Sequence, residues 1–486
     1  MANLPTQLHE MFRPRAASPQ FSVLATACFA VVFFLCVGFL GWAQLSMSKL
    51  DRVAVPERAL QLVANQVLAL QEGLEQVPEW ERQLNEVLGG GGDELDQFIT
   101  WFAELSGASS DPLVSLYLVV LQAEAGRLSE IPREIRGWSI RPAPFPLFAE
   151  IIEAAYLNPR TGAHVAKRLQ AQLAEVVPDG WFYSRLAIQI AQRGNDPDLQ
   201  RITQQAFSDR AWNLVLNHRM VTLLEAVCFM GGSIALGLLF GRWRKYGPLG
   251  LRVGQSFIPP PWRGRDGLTV LLRGGAMSCI LLIALSLSGI DENVLKILLS
   301  LVILLPVLVL AYHYLLVPSG ISVIRATGMR VVPRGWSPAF LFTIGLFALG
   351  MIGGWVLGFL AGGTTDALHW TDWFDSMLVE GTIFQVLVSL FSYTILAPVL
   401  EELVFRGVLF ASLRRRFSAN ISIILSAIPF ALAHGYGTLG SLTIFWSGIL
   451  WAWAYEKTGS LVPGILAHAL NNGLVFLMVL LLIRPG

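Results

Sequence analysis

The sequence predicts an all-α fold: a polytopic transmembrane helix bundle with an inserted helical domain on the extracytoplasmic side. Of the 486 residues, 54% are hydrophobic and only 14% are charged, which is far more apolar than an ordinary soluble protein. Apolar segments long enough to cross a hydrocarbon core of about 30 Å occur before residue 46 and again after residue 218. The residues between them have the composition of a soluble domain.

The first apolar segment follows two basic residues, Arg13 and Arg15, and runs from Phe21 to about Leu45. It is longer than the apolar region of a signal peptide, and no clear small-residue cleavage site follows it. We therefore expect residues 1–45 to form a cytoplasmic amino terminus and an uncleaved signal-anchor helix.

Residues 46–218 predict an extracytoplasmic soluble domain of short helices. Phe182, Leu186 and Ile190 recur at every fourth position, as one apolar face of a helix requires. Tyr117, Leu121 and Ala125 show the same spacing in another segment. The paired short helices resemble tetratricopeptide-like hairpins, although no clean repeat period is present. Such a domain is a candidate binding site for a partner protein.

Residues 219–241 predict a second anchoring helix, which ends at Arg242, Arg244 and Lys245 on the cytoplasmic side. Residues 242–267 then predict a cytoplasmic linker, and residues 268–486 a membrane-embedded core. The apolar spans of this core lie near Leu268 to Gly289, Lys296 to Val317, Ala339 to Ala361, Ile383 to Leu413, Asn420 to His434, Leu442 to Tyr455 and Leu461 to Ile483. We expect an integral, multi-pass protein of a bacterial cytoplasmic membrane or a plastid or thylakoid-type membrane.

Several other features limit the possible partners and contacts. The net charge is +1 and the basic residues are dispersed, so nucleic acid is not an expected partner. The four cysteines lie in apolar segments without CxxC spacing and support neither a disulfide framework nor a zinc site.

An unbroken GxxxG ridge at Gly350, Gly354, Gly358 and Gly362 predicts close contact with a neighbouring helix.

Two carboxylates and a guanidinium interrupt the apolar segment that begins near Ile383. Ionisable groups at this depth are costly, by at least about 2.5 kcal/mol each, and usually face a protein interior or a wet cavity. Glu402 and Arg406 are four residues apart and can pair on one helical face. Glu401 lies about 100° away around the helix and has no obvious local partner.

Two more polar clusters follow in the last third of the chain. His434 ends an apolar span, and His468 and Asn472 share one face of the final span. If the segments on either side of Arg416 form a hairpin, Glu401 and His434 are equally far from its turn and face each other. A carboxylate beside an imidazole can activate a water molecule, and a second imidazole with an amide can donate hydrogen bonds to the resulting oxyanion.

The EExxxR, FxxxH and HxxxN motifs, in this order, resemble those of the CAAX protease and bacteriocin-processing (CPBP) family, which includes the type II CAAX prenyl endopeptidases. The resemblance covers about Leu268 to Ile483. It implies an intramembrane glutamate protease that acts on a membrane-associated or prenylated protein and needs no metal or cofactor. It also assigns the site residues: Glu401 and His434 activate water, His468 and Asn472 form the oxyanion site, and Glu402 and Arg406 support them.

Three other functions fit part of this pattern. A non-catalytic scaffold or immunity protein would bind a partner through residues 46–218 and keep the motif residues for structural reasons. A proton-coupled transporter would use the buried acids as a relay, although no inverted repeat is present. A zinc peptidase would use two histidines and a glutamate as ligands, although the HExxH motif is absent.

Overall fold

The computed structural model describes residues 21–89, 94–289, 294–295, 299, 302–360 and 369–485. Every regular element within these ranges is helical, and six of the helices are long and apolar enough to cross a membrane. The prediction of an all-α, multi-pass membrane protein is confirmed. Arg13 and Arg15, the beginning of the predicted 296–317 span and Gly362 lie outside the described residues.

The helices are numbered in chain order. They are α1 (Val23–Ser46), α2 (Pro56–Glu75), α3 (Glu79–Gly89), α4 (Glu94–Ala108), α5 (Pro112–Glu124), α6 (Ile131–Ile135), α7 (Phe145–Ile152), α8 (Ala163–Val176), α9 (Trp181–Arg193), α10 (Pro197–Tyr246), α11 (Gly264–Leu287), α12 (Leu305–Ser319), α13 (Val323–Ala326), α14 (Trp336–Leu360), α15 (Ser376–Val379), α16 (Ile383–Leu413), α17 (Ala419–Leu432), α18 (Thr438–Thr458) and α19 (Val462–Ile483).

The chain folds into two compact units. The bundle unit consists of Met1–Met47, Leu224–Ala361 and Gly381–Leu477, and the inserted unit of Ser48–Leu223, Gly362–Glu380 and Met478–Gly486. Helix α10 is continuous through residues 218 and 219, where the sequence pattern placed a domain boundary. The two units divide slightly later, between Leu223 and Leu224.

The inserted unit has an apolar core of its own. Phe182, Leu186 and Ile190 on α9 are almost completely buried, as are Tyr117 and Leu121 on α5, so both predicted apolar faces are confirmed. The rings of Tyr117 and Phe182 stack with their centroids 4.2 Å apart. A stacked aromatic pair contributes about 0.5–1.5 kcal/mol beyond the burial of its area. This contact therefore fixes how α5 and α9 pack.

A half-buried set of charges also connects helices of the inserted unit. Arg185 on α9 lies 3.4 Å from Glu72 on α2 and pairs closely with Glu124 on α5. The indole N–H of Trp181 donates to Glu72 at 2.7 Å. Burial raises the pKa of the Glu72 carboxyl, and the Arg185 guanidinium opposes this effect. The network orients three helices around one guanidinium.

In the bundle unit, the predicted cytoplasmic linker is held by backbone hydrogen bonds. The Val253 amide donates to the Thr458 carbonyl at 2.9 Å, and the Val253 carbonyl accepts from the Val332 amide at 2.9 Å. Gly328 has a left-handed φ of 67°. A Cβ atom at Gly328 would lie 2.0 Å from the Gly459 carbonyl oxygen, so only glycine allows this approach. The contacts fix the turn between α18 and α19.

The predicted contact along the GxxxG ridge of α14 is wrong for the glycines that the structure describes. A Cβ atom added at Gly350, Gly354 or Gly358 would meet no atom of the described chain within 4 Å. The close contact is instead at Gly353, where a Cβ atom would lie 2.1 Å from the indole nitrogen of Trp446 on α18. The spacing was suitable for helix contact, but a different face of α14 packs against its neighbour.

A buried histidine in the inserted unit fixes the first residues of the described segment 369–375, which precedes α15. His369 Nδ1 accepts from the Thr371 amide at 3.4 Å and lies 2.7 Å from the Thr371 hydroxyl. Its Nε2 atom lies 3.3 Å from the carboxylate of Glu104 on α4. Burial lowers the pKa of His369, against the opposing effect of Glu104. A proton on Nδ1 would remove the acceptor for the Thr371 amide.

We predict that the full-length protein loses stability on acidification because of His369. Its folded-state pKa lies below the usual value of about 6.5, so the unfolded chain binds more protons as the pH falls through this value. His369→Gln, which cannot titrate, should flatten the dependence of the unfolding midpoint between pH 7.5 and pH 5. Each kcal/mol of this effect corresponds to about 2–4 °C in a unit of this size.

The matched control is His164→Gln on α8, where the histidine is exposed. This control should keep the wild-type pH dependence when measured by thermal unfolding in detergent. Equal slopes for His369→Gln and wild type would contradict the assignment to His369.

Candidate active site

Helix α16 departs from α-helical geometry on both sides of the two glutamates. Ser392–Leu396 and Leu403–Phe410 are π-helical, and the α-helical turn Ala397–Glu402 lies between them. Pro398 in this turn has no amide hydrogen to donate. Short π-helical segments are frequent at functional sites, because they change the direction in which successive side chains point.

Glu402 and Arg406 form the buried ion pair that their spacing predicted. Arg406 Nη1 lies 2.8 Å from Glu402 Oε1, and neither residue is exposed to solvent. Arg406 Nη2 also donates to the Gly448 carbonyl on α18 at 3.2 Å. Its guanidinium carbon lies 4.1 Å from the ring centroid of Phe430 and 5.2 Å from that of Trp451. The charge is thus balanced by one carboxylate and two aromatic faces.

Glu401 lies between two imidazoles from different parts of the bundle unit. Its Oε2 atom is 3.9 Å from His434 Nε2 and 3.8 Å from His468 Nε2. Oε2 is buried and has no hydrogen-bond partner among the residues that the structure describes. The predicted facing of Glu401 and His434 is confirmed. Both separations exceed a direct hydrogen bond but allow a water molecule to contact both groups.

The tautomer of His434 follows from one hydrogen bond. His434 Nδ1 lies 2.7 Å from the carbonyl oxygen of Phe430. Because a carbonyl oxygen can only accept, Nδ1 carries the hydrogen and donates it. In the neutral ring, Nε2 is then an acceptor directed at Glu401. The ring of Phe430 also contacts that of His434, with their centroids 4.8 Å apart.

His468 is held by an aromatic ring and by the second glutamate. Its ring stacks on Trp451 with the centroids 4.0 Å apart and an interplanar angle of 16°. Its Nδ1 atom lies 3.4 Å from Glu402 Oε1 without hydrogen-bond geometry, so this buried nitrogen has no hydrogen-bond partner among the residues that the structure describes. His468 is 3% exposed, so the surrounding atoms restrict rotation of its ring. The ring lies between the carboxylates of Glu401 and Glu402.

Asn472 has a different partner. Its Nδ2 atom donates to the backbone carbonyl of Tyr393 at 2.9 Å, in the first π-helical segment of α16. His468 and Asn472 share a face of α19 as predicted, but they contact different turns of α16. The structure thus groups Glu401, His434 and His468 at one point, with Asn472 bound nearer the start of α16.

Phe430 and Trp451 are site residues that the sequence pattern did not single out as such. Each contacts both the Arg406 guanidinium and a histidine of the site. Phe430 is the first residue of the FxxxH motif, which was a usable signal. Trp451 lies in an apolar run with two other tryptophans on α18, Trp446 and Trp453, and nothing in its local sequence distinguished it.

No group of three or more His, Cys, Asp or Glu side chains that could hold a metal ion is present in the part of the chain that the structure describes.

Comparison with known proteins covers the region of this site. Residues 383–474 match the family model described as "Type II CAAX prenyl endopeptidase Rce1-like". All six motif residues, from Glu401 to Asn472, lie inside this match. This match agrees with the resemblance of the motifs to the CPBP family. The residues before 383 lie outside the CPBP match.

A curated relative supports the assignment to the CPBP family. The membrane-embedded CAAX protease MroQ of Staphylococcus aureus (strain USA300) is 33% identical over 103 residues, which is 20% of this chain. The match spans 41% of the length of that relative. No solved structure matches the chain.

We predict that the Glu402–Arg406 pair shows strong energetic coupling. Arg406→Met leaves Glu402 as an unpaired buried charge, which should cost about 3–5 kcal/mol of unfolding free energy. Adding Glu402→Gln to that variant should recover part of the loss, because no charge then remains without a partner. The unfolding midpoints of wild type, both single variants and the double variant in detergent measure this coupling. A double variant less stable than Arg406→Met alone would contradict it.

Proposed function

We propose that the chain is an intramembrane endopeptidase that hydrolyses a peptide bond of a membrane-associated protein. The observation that carries this proposal is the position of Glu401 Oε2, 3.9 Å from His434 Nε2 and 3.8 Å from His468 Nε2, within an apolar helix bundle. Bringing three titratable groups together within a membrane is energetically costly. Such groups therefore usually mark a functional site. The CPBP match of the same segment supports the proposal.

In the proposed mechanism, Glu401 and His434 activate a water molecule. Both present acceptors, the carboxylate Oε2 and the imidazole Nε2, so a water between them donates both hydrogens and turns a lone pair to the substrate. As its oxygen bonds to the carbonyl carbon, one proton passes to Glu401 or His434. The same proton then reaches the amide nitrogen as the carbon–nitrogen bond breaks. The products are a carboxylic acid and an amine.

His468 and Asn472 are proposed to stabilise the oxyanion. An imidazole with hydrogen on both nitrogens would turn Nδ1 toward the Glu402 carboxylate, 3.4 Å away, and could donate through Nε2 to the developing negative charge. Asn472 uses one amide hydrogen for the Tyr393 carbonyl and has a second hydrogen to donate. Glu402 and Arg406 act as supporting residues, because their contacts hold His468 and the aromatic rings in place.

The names of the similar proteins support a proposal for the substrate class. The family description and the name of the relative both refer to CAAX proteins, so a prenylated CAAX-type tail is the first substrate to test. The inserted unit is the proposed binding site for a further protein partner. We also propose a cytoplasmic amino terminus, because Arg242, Arg244 and Lys245 at the end of α10 fit the positive-inside rule.

We predict that Glu401→Gln and His434→Ala abolish proteolysis, with a loss of about 10²–10⁴-fold for removal of a general base. Quantitative mass spectrometry of membrane-protein termini, in cells expressing each variant instead of wild type, should show the same uncut precursor in both. Glu225→Gln on α10 is the matched control, because it removes a carboxylate from another apolar segment. If Glu401→Gln cells retain the wild-type termini and the wild-type phenotype, a scaffold or immunity role explains the protein better.

We further predict that cleavage does not depend on zinc. The purified protein should cut a peptide that spans the identified site equally well before and after treatment with 1,10-phenanthroline. Activity that is lost with the chelator and restored by Zn²⁺, but not by Mg²⁺, would favour a zinc peptidase that uses the same histidines.

A further inference from the structure

His434 does not lie on a helix. Helix α17 ends at Leu432 and α18 begins at Thr438, so His434 belongs to the intervening turn, residues 433–437. Gly435 has a left-handed φ of 68°, a conformation that glycine adopts without strain. The direction of the His434 side chain therefore depends on the backbone of this turn as well as on α17.

A side chain from the first helix reaches this turn. Gln44, in the last turn of α1, donates a hydrogen bond from Nε2 to the carbonyl oxygen of Gly435. The contact is close, because a Cβ atom at Gly435 would lie 3.0 Å from the same nitrogen. Gln44 and Gly435 are 391 positions apart in the sequence. Residue 44 is far outside the segment that matches the CPBP family model.

Helix α1 is fixed at its other end as well. Arg273 on α11 donates to the Thr26 hydroxyl at 2.8 Å and to the Ser22 carbonyl at 3.0 Å. Midway along α1, Phe33 packs against Gly275, where a Cβ atom would lie 2.8 Å from its ring. These contacts set the position of α1 along α11. Its carboxyl-terminal end therefore brings the Gln44 amide to a defined point.

We propose that Gln44 is a positioning residue for His434 in the proposed protease. Its amide holds the Gly435 carbonyl, which fixes the backbone of the 433–437 turn and so the direction of His434 Nε2 toward Glu401. The inference rests on the proposed function. It adds that the first helix, which the family match does not cover, completes the active site.

A simpler role for the same hydrogen bond would be to attach α1 to the bundle unit. The two roles predict different results. If the hydrogen bond only attaches α1, any contact of similar strength elsewhere on α1 could replace it. Its loss should then loosen the whole helix. A positioning contact should affect the 433–437 turn and the chemical step, and should depend on an N–H donor at residue 44.

Three variants of the full-length protein in lipid nanodiscs separate these roles. Gln44→Leu removes the donor with little change in size, whereas Gln44→Lys keeps N–H donors on a flexible stem. Thr26→Val is the matched control, because it removes the hydroxyl that accepts from Arg273 at the other end of α1. The first readout is hydrogen–deuterium exchange of peptides covering residues 433–437, which needs no substrate.

We expect Gln44→Leu to speed exchange in the 433–437 turn by about three- to tenfold, the effect of losing one hydrogen bond that holds the turn. Gln44→Lys should restore much of the protection, and Thr26→Val should leave this turn unchanged. The second readout is cleavage of a peptide spanning the site identified with Glu401→Gln. There, kcat should fall by a similar factor in Gln44→Leu while KM stays unchanged.

Unchanged exchange of the turn in Gln44→Leu would overturn the proposal. So would equal effects of Gln44→Leu and Thr26→Val, which would show attachment only, or faster exchange with wild-type kcat. Failure of the proposed protease function would be seen separately, because Glu401→Gln would then leave the same protein termini as wild type.

Discussion

The arrangement of the site depends on one buried charge, the guanidinium of Arg406. In an apolar helix bundle this charge must be paired, and Glu402 supplies the carboxylate from the same helix. The guanidinium also donates a hydrogen bond to the Gly448 carbonyl and lies against the rings of Phe430 and Trp451. Those rings in turn contact His434 and His468. Satisfying one cation thus positions α16, α17, α18 and α19 around the site.

The same constraint gives two adjacent glutamates different properties. One helical step of about 100° turns Glu402 toward Arg406 and Glu401 toward the two imidazoles. Glu402 is paired with Arg406 through Oε1, whereas Glu401 has no arginine or lysine partner in the described part of the chain and its Oε2 accepts no hydrogen bond there. A carboxylate that is already paired is suited to support, and one that is not is suited to accept a proton. The proposed division of roles follows from this difference in surroundings.

Parts of the chain outside the family match hold the matched segment in place. The backbone of Val253 bonds to Thr458 and Val332, so residues that first suggested a linker fix the turn that starts α19. His468 is carried by that helix. The Gln44 contact acts on the His434 turn from the opposite end of the sequence. Both histidines of the site are therefore connected to residues that a 92-residue family segment, 383–474, does not contain.

The sequence by itself determined the features that depend on local spacing. The apolar spans, the buried faces of α5 and α9 and the Glu402–Arg406 pair follow from helical periodicity, and the facing of Glu401 and His434 follows from equal distances to one turn. Only the tertiary structure decided which helix faces meet. It placed the α14 contact at Gly353 and not on the GxxxG ridge, and it paired the Asn472 amide with the Tyr393 carbonyl. It also brought Trp451 to His468 and Gln44 to the turn that carries His434. Such contacts depend on the packing of distant segments, because lipid-facing and protein-facing sides of these helices are equally apolar.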